Sequence, residues 1–381
     1  MKKYFVLSGL SLRDNNRGTA ALGYGAFTFL LDKGFISEEQ ELLILIPTRR
    51  FWRKGFVEDK HIQGKTWRCH TVYVPRFEIG IARNFNFCIP FSKIWRIMKK
   101  VSLVAAINGG DGFSDIYGTV LFHFRLPDSL FAMSNKVPLI QLPQTYGPFA
   151  QTKNYQLAKR ILQYAEKVYV RDRKYVDELK NMGVEYEECK DLSAYMKPEP
   201  WEIDILPGAV GINISGLAYS NTFKTLSGQF DLYPDLIAEI INYFQKQDRP
   251  IYLIPHSYNF AKPEQSNDDL EACKQAYDRL PDKKNVMVVD NDMTAPQVKY
   301  VISRMSFFCG TRMHANFAAI YSGVPVFGLA YSYKFEGAFN SNGLDGERQT
   351  SMINNISKDE IAKIVKKIDV FFKETVNHEV K

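Results

Sequence analysis

With 381 residues, 45% of them hydrophobic and 24% charged, the chain has the makeup of a soluble globular protein and the length for two cores of about 150–200 residues each. Its five cysteines show no CxxC spacing, which excludes a zinc ribbon or a disulfide framework and points to reduced thiols. No run approaches the roughly 18 apolar residues of a membrane-spanning helix. The net charge of +7 is concentrated, because residues 48–100 hold thirteen Lys or Arg against three acids, so an anionic partner has to be weighed.

The opening residues lack a small-residue cleavage site and read as a buried strand, 4–8, running into a polar loop. A cytoplasmic protein is expected. Residues Asn16 and Gly18 precede a helix over 19–31, whose amides could receive a polar ligand, although an ordinary loop explains them too. The glycine pattern is not GxGxxG, so dinucleotide binding has little support. Strand-like runs follow at 42–46 and 71–74 inside the basic stretch, which also carries ten aromatics. Its end, 91–100, places Phe91, Ile94, Trp95, Ile97 and Met98 largely on one face, with Lys93, Arg96, Lys99 and Lys100 around it. Such a helix can lie on an anionic bilayer, or pack as a core helix with a solvated basic face. No RRM, KH or zinc pattern accompanies the charge, so nucleic acid is not an expected partner.

Further strands are expected at 103–107, 139–142 and 168–170, with helices at 117–133, 154–164 and 174–182. After the first of these strands, Asn108-Gly109-Gly110-Asp111 lets backbone approach a ligand closely. Asp111 and Asp115 supply carboxylates suited to sugar hydroxyls. A tight turn with a cap accounts for Gly109, Gly110 and Asp115 but less well for Asp111. Gln144 and Arg171 stand at the next two strand ends, and Arg171 suits an anion or a pair with Asp172. Three prolines between 197 and 208 mark a linker. The expected domains are therefore 1–200 and 201–381.

A second α/β series begins there, with strands at 210–214, 251–254, 286–289, 307–309 and 326–330. Helices alternate with them at 233–246, 268–280, 295–303 and 313–321, and Ser357 with Glu360 forms a capping box for a last helix. The expected fold is α/β: two Rossmann-like, doubly wound domains facing a cleft. His256 ends one strand. Asp268 and Asp269 start a helix and either face the cleft or cap. No HxH or HExxH pattern calls for a metal. At 309–336 an apolar strand leads to Arg312, Met313 and His314 at a helix start, and the next strand leads to Lys334. Two cations and an imidazole at one sheet edge fit an anionic substrate that needs proton transfer.

Taken in order, these blocks resemble the polysaccharide pyruvyl transferase family: Asn16–Gly18, Asn108–Asp115, Gln144–Pro148, Arg171-Asp172, Pro255-His256 and, most specifically, Gly310–His314 with Ser322–Pro325 and Tyr331–Phe335. The resemblance implies a GT-B-like pair of domains, phosphoenolpyruvate as donor, and a pyruvate ketal formed on two sugar hydroxyls with release of phosphate. It carries donor binding onto Arg171, Arg312, Met313, His314 and Lys334. His314 then becomes the general acid and Asp111 the base or orienter of the acceptor hydroxyl. The acceptor side is assigned to Asn16, Gly18, Gly110, Asp115, Gln144 and His256. No cofactor is expected beyond phosphoenolpyruvate as co-substrate. Many family members have three consecutive glycines where this chain has Gly109-Gly110-Asp111. The basic aromatic segment points to a lipid-diphosphate-linked saccharide of a surface polysaccharide, met at the inner face of the membrane. Two other readings fit the same frame: a glycosyltransferase using a nucleotide sugar, and a non-catalytic saccharide- or membrane-binding protein that would tolerate loss of Arg312 and His314.

Overall fold

The computed structural model describes residues 3–50 and 52–379. By internal contacts the chain forms two compact units. The first comprises the residues up to Ser11 together with Leu22–Met196, and the second comprises Leu12–Ala21 together with everything from Lys197 on. The short early segment Leu12–Ala21 thus packs with the C-terminal half, away from the 1–200 division drawn on the sequence.

Eight strands build the sheet of the first unit: β1 (Tyr4–Leu7), β2 (Glu41–Thr48), β3 (Phe56–Ile62), β4 (Lys65–Pro75), β5 (Val101–Ala106), β6 (Leu139–Gln144), β7 (Lys167–Val170) and β8 (Glu187–Glu188). Their order is β3-β4-β2-β1-β5-β6-β7-β8, parallel except for the β3–β4 pair. The chain winds outward from β1 through β2 and β4, then returns to β5 and winds the other way. The switch therefore lies between β1 and β5. The second unit has six parallel strands: β9 (Val210–Asn213), β10 (Ile251–Leu253), β11 (Val286–Val288), β12 (Phe307–Gly310), β13 (Val326–Ala330) and β14 (Thr350–Met352). Their order β11-β10-β9-β12-β13-β14 puts its switch between β9 and β12. In open α/β sheets ligands bind outside the carboxyl ends of the strands at such a switch.

Helices cover both faces of each sheet, so the central strands read as unbroken apolar runs. All six residues of β6 are buried, Gln144 included. Two of the expected helices differ from the sequence reading. The helix expected over 117–133 is split into Thr119–Phe124 and Pro127–Asn135. Pro127 sits in the first turn of the second piece, where its missing N–H is harmless, but it cannot continue the first. The basic amphipathic stretch forms only a short helix, Lys93–Met98, capped by Ser92, which accepts from the Trp95 amide at 3.2 Å. Its apolar face is core: Ile94 and Met98 are buried, and Trp95 and Ile97 pack on the same cluster. Between the two packings open to it, this helix takes the core one. No described helix is long and apolar enough to cross a membrane.

Candidate active site

In the first unit, the chain leaving β5 forms a glycine-rich loop at the β1/β5 switch. Gly109 and Gly110 have φ of +77° and +87°, a region that strains residues with a Cβ. At Gly110 a Cβ would also lie 2.7 Å from Arg171 Nη1, so this glycine seats the guanidinium. Asp111 lies outside the left-handed region, which explains why a carboxylate is accepted at the third position. It accepts a hydrogen bond from the Tyr117 hydroxyl at 2.8 Å. Burial, and then Asp111 itself, push that phenol up to about 12, so it remains a donor at neutral pH.

Arg171 follows β7 and donates from Nη1 to Asp191 at 2.8 Å and from Nε to Thr145 Oγ1 at 3.2 Å. Burial opposes its charge, but Asp191, then Asp172 and Asp111, hold it protonated. A second cation, Arg125, covers the same loop. Its Nη1 occupies the space next to Gly112, where a Cβ would stand 1.6 Å away, and its guanidinium lies 5.7 Å from the Tyr117 ring. Arg125 is absent from the residues expected on sequence because it comes well after the loop, in the interrupted helical stretch.

Gln144 and Asp115, expected at the acceptor, are committed to the scaffold. Gln144 is fully buried. Its Oε1 accepts from the Asn108 amide at 2.9 Å, and its Nε2 donates to Gln141 Oε1 at 3.2 Å and to the Tyr146 hydroxyl at 3.3 Å. It braces the loop from behind. Asp115 accepts from the amides of Ala150 and Gln151 at 2.8 and 3.0 Å and from Asn154 Nδ2 at 2.9 Å. Burial alone would raise this carboxyl. The Asn154 amide and the two backbone amides outweigh burial and hold it below the usual range. Asp115 thus anchors the start of the helix Thr152–Tyr164.

In the second unit, β12 ends at Gly310, and Arg312 stands just before the helix Met313–Ile320. The Arg312 amide donates to Asn213 Oδ1, at the end of β9, at 2.8 Å. Its guanidinium donates from Nη2 to Asp269 Oδ1 at 2.6 Å and to Asn267 Oδ1 at 2.7 Å, and from Nε to Asp269 at 3.0 Å. Burial opposes the charge, and Asp269 restores it. Nε and Nη2 of Arg312 are therefore already used inside the protein. Asp269 is fully buried and also accepts from the amides of Gly216, His256 and Ser257 at 2.9, 3.1 and 2.9 Å. Asp268 instead caps the helix Asp269–Asp278, accepting from the amides of Leu270 and Glu271.

His314 is in the first turn of its helix, edge-to-face with Phe317 at 5.6 Å. The early segment reaches it directly. A Cβ on Gly18 would lie 2.5 Å from His314 Nδ1, so only glycine lets the backbone pass so closely. Asn16 holds that turn by accepting from the Gly18 amide at 3.0 Å. Arg17, missed as a site residue, fixes the segment: its amide donates to His256 O at 3.0 Å and its Nε to Met293 O at 2.8 Å, and its guanidinium lies 4.1 Å from the Tyr258 ring. His256 is buried, and burial, then His314, Arg17 and Arg312, keep its pKa well below the usual value. Lys334 is exposed at the start of the helix Lys334–Ser341, just beyond β13. Among the described residues no group of three His, Cys, Asp or Glu side chains is placed to hold a metal.

A family model described as polysaccharide pyruvyl transferase matches residues 16–333. The chain belongs to the polysaccharide pyruvyl transferase family. The matched span includes the loops of both switch points. No curated protein matches the chain in sequence. Among solved structures, UDP-GlcNAc 2-epimerase from Neisseria meningitidis bound to UDP-GlcNAc is 12% identical, with 98% of this chain and 94% of that one covered, at a TM-score of 0.51. UDP-GlcNAc 2-epimerase from Methanocaldococcus jannaschii is 10% identical, covering 98% and 93%, at a TM-score of 0.52. At such identities the likeness is one of fold, and it makes this pyruvyl transferase family member GT-B-like with two Rossmann-like domains. The predicted site residues divide between the units. Gly110, Asp111, Asp115, Gln144 and Arg171 lie in the first, while Asn16, Gly18, His256, Arg312, Met313, His314 and Lys334 lie in the second.

Proposed function

We propose that this protein transfers pyruvate from phosphoenolpyruvate to two hydroxyls of a sugar in a surface polysaccharide, such as a capsule or exopolysaccharide, or in its lipid-linked precursor. The observation that carries the reading is Arg312 and His314 at the β9/β12 switch, within the matched family span. Phosphoenolpyruvate bears a phosphate and a carboxylate. Arg312, locked by Asp269, offers its remaining edge to one of them, the amides at the start of the helix Met313–Ile320 add donors, and Lys334 adds charge.

The chemistry is general acid–base catalysis. His314 protonates the methylene carbon of the enol, which leaves C2 electrophilic. One sugar hydroxyl adds at C2 and loses its proton to Asp111. The C2–O bond to phosphate then breaks as the second hydroxyl closes the ketal, its proton leaving with the phosphate. One phosphoenolpyruvate and one diol thus give one ketal and one phosphate. His256, kept neutral by burial and by its cationic neighbours, is unsuited to supply the proton. Arg171 and Arg125 place positive charge around the loop that carries Asp111. The donor role that the family gives Arg171 suits a guanidinium held rigid and charged by Asp191. A lipid-diphosphate-linked acceptor, met at the inner face of the membrane, suits the cation excess of residues 48–100.

Calorimetric titration with phosphoenolpyruvate, beside UDP-sugars and with Arg312→Ala as control, tests the donor. The expected result is saturable binding of phosphoenolpyruvate that Arg312→Ala abolishes. Saturable binding of a UDP-sugar alone would transfer the protein to the nucleotide-sugar glycosyltransferases.

A further inference from the structure

Two helices of the first unit leave apolar faces uncovered. On Arg76–Phe85, Phe77 and Phe85 are 59% and 75% exposed, eight residues apart on one face, and Phe87 just beyond is 49% exposed. On Thr119–Phe124, Val120, Leu121 and Phe124 are 85%, 38% and 55% exposed. Arg83 Nη1 and His123 Nδ1 are 2.9 Å apart, which joins the two helices at that point. Exposed apolar patches of this kind mark interaction sites.

The charge of the chain segments that bear these side chains selects the partner. Residues 79–110 and 116–127 contain no Asp or Glu, while Arg83, Lys93, Arg96, Lys99, Lys100 and Arg125 fall within them. Glu78 is the carboxylate of the first helix; it is buried, and burial raises its pKa. On and just after the next helix, Lys93, Arg96 and Lys100 line a hollow of about 300 Å³ with Tyr4 and Ile97, a size and charge suited to a phosphate headgroup. Protruding aromatic and aliphatic side chains on segments that carry cations and, apart from the buried Glu78, no carboxylates fit an anionic bilayer: the apolar groups enter the headgroup boundary and the cations meet lipid phosphates.

We infer that the face formed by Phe77, Phe85, Phe87, Val120, Leu121 and Phe124 docks this unit on an anionic lipid surface. The helix Thr119–Phe124 starts two residues after Tyr117, which holds Asp111. Docking therefore brings the acceptor loop to the lipid. This surface deepens the reading of a lipid-linked acceptor and rests on it for its purpose, whereas its existence does not depend on the donor.

The full-length protein is sedimented with phosphatidylglycerol/phosphatidylcholine vesicles and with pure phosphatidylcholine vesicles. Wild type is expected to partition onto the anionic vesicles. Phe85→Ser/Phe124→Ser and, separately, Lys93→Glu/Arg96→Glu are expected to lower that partition at least about tenfold. Melting and phosphoenolpyruvate titration, measured without vesicles, should be unchanged, so the two readings fail separately. Failure of wild type to bind anionic vesicles, or binding by either variant equal to that of wild type, overturns the docking face. So does light scattering that shows a wild-type dimer lost in the Phe85/Phe124 variant, because the face would then belong to a second copy of the chain.

Discussion

At His256, burial and the cationic groups His314, Arg17 and Arg312 all oppose protonation. Its pKa in the folded chain is below that of the unfolded chain, so it is the unfolded chain that binds the extra proton. The stability contributed by the neutral ring is complete above about pH 6.5 and is lost as pH falls below that value, by at most about 1.4 kcal/mol per pH unit for one proton. Between pH 7 and pH 5 the melting temperature of the full chain should fall more steeply for wild type than for His256→Asn. Parallel curves would mean that His256 charges freely. The residue scale is also where sequence told least. Asp268 and Asp269 are adjacent and alike, yet one caps its own helix and the other holds Arg312, 43 positions away. Gln144 looked like a strand-end ligand, but its strand is buried along its whole length. Partners so distant in sequence leave no local signal.

Among elements, Asp269 is the joint. It ties the end of β9, the turn after β10, the helix Asp269–Asp278 and the start of Met313–Ile320 by accepting from Gly216, His256, Ser257 and Arg312. Removing one partner of a buried ion pair costs roughly 3–5 kcal/mol, and an isosteric amide keeps part of the network. Asp269→Asn should therefore weaken phosphoenolpyruvate binding at least about tenfold in calorimetry, together with a lower melting temperature. Unchanged donor affinity would show that Arg312 needs no anchor. Other elements were legible to different degrees. The alternation of apolar strands with helices was plain. The β3–β4 hairpin was not, because β3 carries exposed, charged residues around its turn at Gln63-Gly64 and lacks an apolar rhythm. The basic helix read equally well as surface or core, since its cations and its apolar face satisfy both. Only packing decided it, and packing moved the candidate lipid surface to neighbouring helices that carry little charge of their own.

At the scale of the whole molecule, each unit carries one sheet with one switch point, parallel throughout in the second unit and but for β3 in the first, and each switch carries a distinct set of side chains. The first offers Asp111 with Tyr117, Arg125 and Arg171; the second offers Arg312 and His314, braced by Asn213, Asp269 and Gly18. The strand order that makes these loops special is not visible in sequence, although the polar strand ends are. The membership of Leu12–Ala21 in the second unit was likewise hidden, because it depends on the Asn16–Ser257 bridge and the Arg17 bonds. The most direct test of the account follows ¹⁴C-labelled phosphoenolpyruvate into free and lipid-linked saccharides while phosphate is counted. The account predicts acid-labile label on the saccharide, one phosphate for each pyruvyl group, and at least about a hundredfold slower transfer by His314→Gln with donor binding retained. Phosphate released without label on saccharide, or transfer at full rate by His314→Gln, would contradict it.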